Sequence, residues 1–211
     1  ALAPGVLRNG VTSRTTGLGV IAISGAPSYE NLFLMNGVVV NENLRGQPIS
    51  LYIEDSIEEM TVSASGISAE FGRFTGGMVN AITKSGGNTF SGSMRTVFDN
   101  DDWRSRTPMN ETKTDKLIPT YEYTFGGPVL RDRLWFFTAG RTVEETRSFQ
   151  TAFGGLSWDR VRDEKRFEGK ATYALDSNHT VRGSYLFKKT ITDGDAFSTN
   201  ILDLDSLTYR Q

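Results

Sequence analysis

Strict two-residue alternation of side-chain character is the feature that most limits what this 211-residue chain can fold into. Four segments in the second half set aromatic or apolar side chains on one parity and polar or charged ones on the other. They are residues 93–99, 120–126, 167–175 and 180–188. Because successive side chains of a strand point to opposite faces of a sheet, this period predicts β-strands with two chemically different faces.

A fifth strand is predicted over residues 134–145, but its orientation stays open. One parity carries most of the apolar side chains together with one cation: Trp135, Phe137, Ala139, Arg141 and Val143. The opposite parity places Leu134 and Phe136 outward instead. The sequence therefore predicts the strand without deciding which of its faces is the apolar one.

The connections between these segments alternate in length. Residues 100–119 and 146–166 form long connections, whereas residues 127–133 and 176–178 form short ones. Short turns on one side and long loops on the other are typical of outer-membrane barrels. The sequence thus predicts transmembrane barrel strands with long extracellular loops. A soluble β-rich binding or adhesion protein is the alternative, although it has less reason to sort its loop lengths.

Composition removes most enzyme classes. The chain has no Cys and a single histidine, His179, so thiolate chemistry and His-based metal sites or triads have almost no residues to use. The formal net charge of −2 lacks the basic excess of a nucleic-acid binder. Neither Asp99, Asp101 and Asp102 nor Asp193 and Asp195 follow the calcium-loop pattern. We expect no enzyme, no cofactor, no metal and no nucleic-acid partner.

The two halves of the chain differ in composition. Only five of the 23 aromatic residues lie before residue 90, and a Gly-rich connector follows at residues 85–88. We therefore expect a first domain at residues 1–87 and barrel strands, five or six in number, at residues 88–211. The first domain is predicted to be α+β, with an Asn36-Gly37 turn and a helix over residues 49–59. Its predicted strands are residues 19–24, 30–35, 38–40 and 78–83.

The end of this first domain carries a long motif. Residues 68–86 (SAEFGRFTGGMVNAITKSG) resemble the closing segment of the plug domain of TonB-dependent outer-membrane receptors. Residues 2–6 (LAPGV), 34–38 (LMNGV) and 126–137 (GGPVLRDRLWFF) resemble the Oar-like branch of that family. Asn36 departs from the family pattern, which usually has Asp there, but a side-chain amide can also hold a turn. The resemblance runs from the start of the chain to about residue 145.

The resemblance implies a fold, a location and partners. It implies an α+β plug inside a transmembrane barrel of 22 strands in the outer membrane of a Gram-negative bacterium. It also implies active transport energised by TonB and its inner-membrane complex, with lipid or lipopolysaccharide around the barrel. The ligand is open (peptide or glycan), as are accessory subunits such as a surface lipoprotein. A receptor, anchor or protein-export factor on the same barrel, without uptake driven by TonB, is the alternative. Single-chain barrels start at about eight strands, so we expect the chain to be part of a longer protein.

Two sets of residues follow from the resemblance. The substrate-facing plug apex would comprise Ser28, Tyr29, Glu30, Asn43, Arg45 and Gln47. The structural plug motif would comprise Gly72, Arg73, Gly76, Gly77, Asn80, Thr83 and Lys84. The glycines of the motif suit tight turns or close backbone approach. The neighbouring carboxylates Glu58 and Glu59 are expected on a solvated face, not in an acid–base site.

Overall fold

The computed structural model describes residues 6–12, 19–43, 46, 48–49, 51–103, 115–151, 154–195 and 203–207. The chain divides into two compact units, Ala1–Lys84 and Ser85–Gln211. Both are built from β-strands. Within the described ranges, helical structure is limited to four 3-10 helices of three residues, and no helix is long and apolar enough to cross a membrane.

The first unit contains two small sheets. In one, β1 (Val6–Thr12) pairs antiparallel with β2 (Gly19–Ile23). The other has four strands in the order β4-β3-β6-β5, with bounds β3 (Leu32–Met35), β4 (Val38–Val39), β5 (Ile57–Ser63) and β6 (Met78–Thr83). Only β3 and β6 run parallel among these neighbours. The strands predicted at 19–24, 30–35, 38–40 and 78–83 are thereby confirmed, while β1 was not predicted.

Strand β3 is the centre of this unit. All four of its residues, Leu32, Phe33, Leu34 and Met35, are buried. A strand covered on both faces is a continuous apolar run and not an alternating one. Ile23 and Ile53, also fully buried, complete the core of the unit.

The turn between β3 and β4 is the predicted Asn36-Gly37 turn. Both residues have positive φ, +52° and +82°, as this hairpin type requires. The side chain of Asn36 also reaches β6: its amide donates to Thr83 Oγ1 at 2.9 Å, and its oxygen accepts from the Thr83 backbone N–H at 3.0 Å. Asn36 therefore fixes the hairpin and ties it to the neighbouring strand.

The helix predicted over residues 49–59 is wrong, and with it the α+β description of the first unit. The segment forms a 3-10 turn at Glu54–Ser56 and then β5. The isoleucines in this segment are β-branched, which favours extended backbone. The register of β5 also shifts between Ile57 and Glu59, so Glu58 has no partner on β6. Such a bulge interrupts the alternation that would have identified a strand.

The second unit is one antiparallel sheet in which each strand pairs with the next along the chain. Its order is β11-β10-β9-β8-β7, with bounds β7 (Ser91–Asp99), β8 (Ile118–Leu130), β9 (Leu134–Gln150), β10 (Ser157–Ala174) and β11 (Thr180–Asp193). All five strands predicted in this half are confirmed. The sheet does not close into a barrel within the described residues.

The register also decides the orientation of β9. Arg141 lies directly opposite Glu122 of β8, and Phe137 and Ala139, on the same parity as Arg141, are buried. Leu134 and Phe136 therefore belong to the opposite, outward parity. The apolar residues of β9 that share a face with Arg141 lie on the charged side of the sheet.

The long connection predicted at residues 146–166 is wrong. Strand β9 continues to Gln150 and β10 begins at Ser157, so only residues 151–156 connect them. The two strands contain 17 and 18 residues, whereas about 9–11 suffice to cross a bilayer. Residues 146–150 and 157–166 carry polar or charged side chains on both faces, apart from Phe149, Trp158 and Val161. The alternation that signals a strand is lost there for that reason.

Replacing Asn36 should loosen the first unit locally. Asn36→Ala removes both bonds to Thr83 and places Ala at positive φ, for an expected cost of about 2–3 kcal/mol. Asn36→Gly removes the same bonds but tolerates the backbone angle, so it should cost about 1 kcal/mol less. Hydrogen exchange of the β3–β4 and β6 peptides in the full-length protein measures both. Protection equal to that of the unsubstituted protein would contradict the role of Asn36.

Candidate functional site

The five-stranded sheet of the second unit has two opposite faces of inverted polarity. Its aromatic face carries large side chains that are 40–81% exposed, among them Met94, Tyr121, Tyr123, Phe125, Phe167, Tyr185 and Phe187. The opposite, charged face holds Glu122, Thr124, Glu164, Arg166, Glu168 and Lys170, all of them buried. A water-soluble sheet would bury the first set and expose the second. The side-chain pattern is that of a sheet with hydrocarbon on its aromatic face.

A row of charges crosses the charged face from strand to strand. In the register of the sheet, each member lies directly opposite the next one on the neighbouring strand. From β7 to β11 the members are Arg95, Glu122, Arg141, Arg166 and Lys188. We call these five residues the charged row. Neighbouring strands are about 4.8 Å apart, so each side chain lies within reach of the next.

Glu122 is the anion that holds one end of the charged row together. Its carboxylate is 2% exposed and lies 2.6 Å from Arg95 Nη2 and 3.2 Å from Arg141 Nε. A buried carboxylate is costly unless cations and hydrogen bonds compensate it. The two arginines supply that compensation from the strands on either side.

Glu164 plays the same part at the other end. It lies on β10 one step further along the charged face and accepts from Arg162 Nη2 at 2.8 Å and from Arg166 Nε at 2.7 Å. Lys188 Nζ lies 3.5 Å away. The charged row with Glu164 therefore holds four cations and two carboxylates, an excess of positive charge on this face.

In the first unit, two loops predicted as the plug apex are brought together by amides. Asn41 Nδ2 donates to the carbonyls of Asn31 at 2.9 Å and Gly46 at 2.7 Å, and Asn41 Oδ1 accepts from the Phe33 N–H. Gly46 has φ +64°, and a Cβ there would lie 2.8 Å from the Tyr29 carbonyl. The residue 28–30 turn and the loop after Asn41 therefore lie in direct contact.

The apex residues themselves differ in exposure. Tyr29 is 58% exposed and Asn43 is exposed, whereas Ser28 is buried. Glu30 is half-buried, and its carboxylate accepts from the hydroxyl of Thr75, which precedes β6. Arg45 and Gln47 lie outside the described residues. The described surface of the apex thus consists of Tyr29 and Asn43.

Two glycines of the predicted plug motif, Gly76 and Gly77, pack closely against other segments of the first unit. A Cβ on Gly76 would lie 2.1 Å from Asn31 Oδ1, and one on Gly77 would lie 2.4 Å from Ile23 Cγ2. Asn31 Oδ1 accepts from the Gly77 N–H at 3.0 Å, which explains the close approach. Gly72, by contrast, has open space where its Cβ would be.

The remaining motif residues have structural surroundings. Thr83 bonds Asn36, and Lys84 Nζ donates to the Asp55 carbonyl at 2.8 Å. Arg73 adopts a positive φ of +64°. Asn80, on β6, has a buried Oδ1 without a hydrogen bond in the described part of the chain. None of these residues forms a cluster with chemistry beyond holding the chain.

The tight turn between β10 and β11 is fixed by one carboxylate. Asp176 accepts from the backbone N–H groups of Asn178 and His179 and contacts His179 Nδ1 at 2.9 Å. These bonds, that from Asn178 first, hold the pKa of Asp176 below its usual range. His179 is exposed. Across the described ranges, no three His, Asp or Glu side chains are placed to hold a metal ion.

The charged row is the feature that sequence reasoning missed. Each member was visible as the polar parity of its own strand, but which residues lie side by side depends on the register between strands. The parities of the predicted strands place Arg95 and Glu122 on the same polar face, but the long connection 100–119 between their strands does not fix the register. The charged residues were therefore visible in the sequence, but the charged row could be recognised only once the pairing of the strands was known.

Removing the charge of Glu122 should destabilise the sheet. Glu122→Gln leaves the guanidinium groups of Arg95 and Arg141 without their shared anion, for an expected loss of about 2–4 kcal/mol. The matched control is Glu144→Gln on β9, an exposed carboxylate with an expected change within about 0.5 kcal/mol. Urea unfolding of the detergent-solubilised full-length protein measures both. Equal stability of the two variants would contradict the compensation described for Glu122.

The chain resembles a known domain family and a known transporter. The model of an outer membrane beta barrel domain matches residues 82–156, which contain β7, β8 and β9. The TonB-dependent transporter Oar of Myxococcus xanthus is 27% identical over 213 residues, covering 82% of this chain and 20% of that protein. The chain thus spans about a fifth of the length of this curated relative.

Solved structures share the fold over both units. The siderophore receptor PirA of Acinetobacter baumannii matches with a TM-score of 0.71 at 18% identity, over 97% of this chain and 31% of that one. The outer membrane transporter YddB of Escherichia coli matches with a TM-score of 0.67 at 19% identity, over 90% and 30%. The ferric enterobactin receptor PfeA of Pseudomonas aeruginosa matches with a TM-score of 0.64 at 21% identity, over 94% and 31%.

These matches agree with the side-chain pattern of the sheet. The matched domain model covers strands whose aromatic parity is exposed and whose charged parity is buried. The fold is shared with the solved outer membrane transporter YddB and siderophore receptor PirA. The resemblance drawn from the plug motif is confirmed: the chain is similar to a TonB-dependent transporter, and three of its strands match an outer membrane beta barrel domain.

Proposed function

We propose that the whole protein actively transports a ligand across the outer membrane, with TonB as the source of force. The inverted polarity of the five-stranded sheet is the observation that carries this proposal. Its exposed aromatic face suits lipid, and its buried charged face suits a polar lumen. In this proposal the first unit is the plug of a barrel with 22 strands, and the second unit supplies its first strands.

The construction of the first unit suits a gate. Its core strand β3 has only four residues, and its partner β4 has two. The amides of Asn31, Asn36 and Asn41 do much of the joining between segments. Hydrogen bonds exchange readily for bonds to water, so a pulling force can open such joints at less cost than a large apolar core. We propose that force applied by TonB remodels this unit and opens the lumen.

The ligand is proposed to be polar. The charged row presents an excess of cations, and the predicted apex offers the exposed side chains of Tyr29 and Asn43. Peptides and glycans are the ligand classes that we propose for such a surface. TonB with its inner-membrane complex is the proposed energy-supplying partner. Outer-membrane lipid or lipopolysaccharide surrounds the barrel in this proposal, and accessory subunits such as a surface lipoprotein complete the partners.

A buried cysteine can report the remodelling. Ser56 is 0% exposed and donates to the Ile53 carbonyl at 2.8 Å, so Ser56→Cys should react with a maleimide only when the first unit opens. The chain has no cysteine of its own, which keeps the background from this part low. In whole cells producing the full-length protein, we expect several-fold faster labelling with TonB than without it. Mass spectrometry of the labelled peptide gives the rate.

The exposed Tyr29→Cys is the matched control and should react equally with and without TonB. Ser56→Cys labelling that does not depend on TonB would contradict gated transport. It would favour a receptor, anchor or protein-export factor on the same barrel.

Neighbouring substitutions on β11 test which face meets lipid. Tyr185 lies on the aromatic face six residues after the His179 turn, about 14 Å into the membrane for a strand tilted by about 45°. Tyr185→Arg near the bilayer midplane should cost about 2–4 kcal/mol. Ser184→Arg, one residue earlier, places the same charge on the polar face and should cost far less. Unfolding of the full-length protein in lipid vesicles measures both, and equal costs would exclude a lipid-facing Tyr185.

A further inference from the structure

One polar side chain holds the segment that joins the two units of the chain. The final backbone hydrogen bond of the first unit runs from the Lys84 N–H to the Ser56 carbonyl, and the ladder of β7 begins at Ser91. Residues 85–90, which we call the joining segment, make no backbone–backbone hydrogen bond within the described ranges. The hydrogen bonds that fasten this segment to the sheet are made by the side chain of Asn88.

Asn88 makes three hydrogen bonds to the tight turn between β8 and β9. Its oxygen accepts from the Asp132 backbone N–H at 3.0 Å and from Trp135 Nε1 at 2.7 Å. Its nitrogen donates to Asp132 Oδ1 at 2.6 Å. A side-chain amide can make this set because it donates and accepts at once. The turn that receives these bonds is closed by a bond from the Arg133 N–H to the Leu130 carbonyl at 3.2 Å.

Close packing supports the joining segment on both sides of Asn88. A Cβ on Gly86 would lie 2.1 Å from the Phe136 carbonyl oxygen, so the segment runs directly against β9. The Phe90 ring stacks on Phe125 of β8, with ring centroids 5.9 Å apart. The segment therefore lies along the β8–β9 hairpin before the chain enters β7. Tension that arrives from the first unit reaches the three bonds of Asn88 before it reaches β7.

Strand β7 is poorly placed to resist such tension without Asn88. The hydrogen bonds of an antiparallel ladder are spaced along the strand, so a pull on its first residue loads them one after another. The three bonds of Asn88 lie at one point and are loaded together. Release of β7 would also remove Arg95, one of the two cations that compensate the buried carboxylate of Glu122. The damage would therefore extend beyond the strand that is pulled away.

We propose that Asn88 is the anchor at which extension of the chain stops when the first unit is pulled open. Residues before Gly86 extend under the force, whereas β7 and the strands after it keep their register. Asn88 thereby positions the boundary between the part of the chain that opens and the part that stays folded. This inference rests on the proposed opening of the first unit by TonB, but its physical claim holds for any force that enters through that unit.

Single-molecule pulling of the full-length protein in a lipid bilayer tests the anchor without TonB. A DNA handle on Glu58→Cys, an exposed position of β5, pulls from the membrane side of the tight turns. With Asn88 present, the chain should extend by about 100 Å, the length from residue 58 to Gly86, and then hold. With Asn88→Ala, β7 should leave roughly tenfold to a hundredfold faster at the same force, because three hydrogen bonds are lost. About 45 Å of further extension, to the end of β7, identifies that event.

Exchanging donor and acceptor separates the anchor from a general loss of stability. N88D alone removes the donor and sets two carboxylates against each other, so β7 should again leave faster. N88D/D132N restores the bond in the reverse direction, because an amide at position 132 donates to a carboxylate at position 88. The double variant should return the release rate of the unsubstituted protein, since an asparagine also tolerates the positive φ of +62° at position 132. Asn178→Ala in the tight turn between β10 and β11 is the matched control and should leave the rate unchanged.

Four results would overturn the proposal. They are an unchanged release rate with Asn88→Ala, an equal acceleration with Asn178→Ala, no recovery in N88D/D132N, and release of β7 together with the first unit while Asn88 is present. None of them bears on whether TonB energises transport, which the labelling of Ser56→Cys with and without TonB decides separately.

Discussion

The pairing of buried charges across neighbouring strands is the interaction on which the second unit depends. A sheet that turns its aromatic side chains outward has to place its polar ones on the other face, where they crowd together. Glu122 is shared by arginines of the two adjacent strands, and Glu164 is shared by two arginines of its own strand and by Lys188 of β11. The contacts between strands also fix the register, since a slip of one residue would turn Glu122 toward the aromatic face.

The first unit relies on a different device. Its strands are short, and three asparagine side chains replace missing backbone partners by donating and accepting at once. An amide suits this work better than a carboxylate, which only accepts. Asn36 shows the difference, because its oxygen takes the Thr83 N–H while its nitrogen serves the Thr83 hydroxyl. Asn36 departs from the family pattern, which usually has Asp at this position. A carboxylate there could accept from the Thr83 N–H, but it could not donate to the Thr83 hydroxyl as the Asn36 amide does.

The sequence predicted strands correctly where side-chain polarity alternates strictly, and it failed where the spacing of apolar residues and their β-branching favour different structures. Strands β7, β8, β10 and β11 were predictable because the two faces of the sheet impose opposite demands on alternate residues. Residues 146–166 lack that contrast and were mistaken for a loop. The isoleucines at 53 and 57 suited a helix by spacing, but their β-branching and the bulge at Glu58 decided for a strand. The charged row needed the pairing of strands, which no single segment contains.

The length of the β9–β10 hairpin has a consequence for the position of its tip. Its strands exceed the thickness of a bilayer by about seven residues, and Phe149, Trp158 and Arg160 stack near its tip. Strands β9 and β10 stay paired along their length, from Tyr173 opposite Leu134 to Ser157 opposite Gln150. Anything bound by the side chains at the tip is therefore held at a fixed distance from the other end of the sheet.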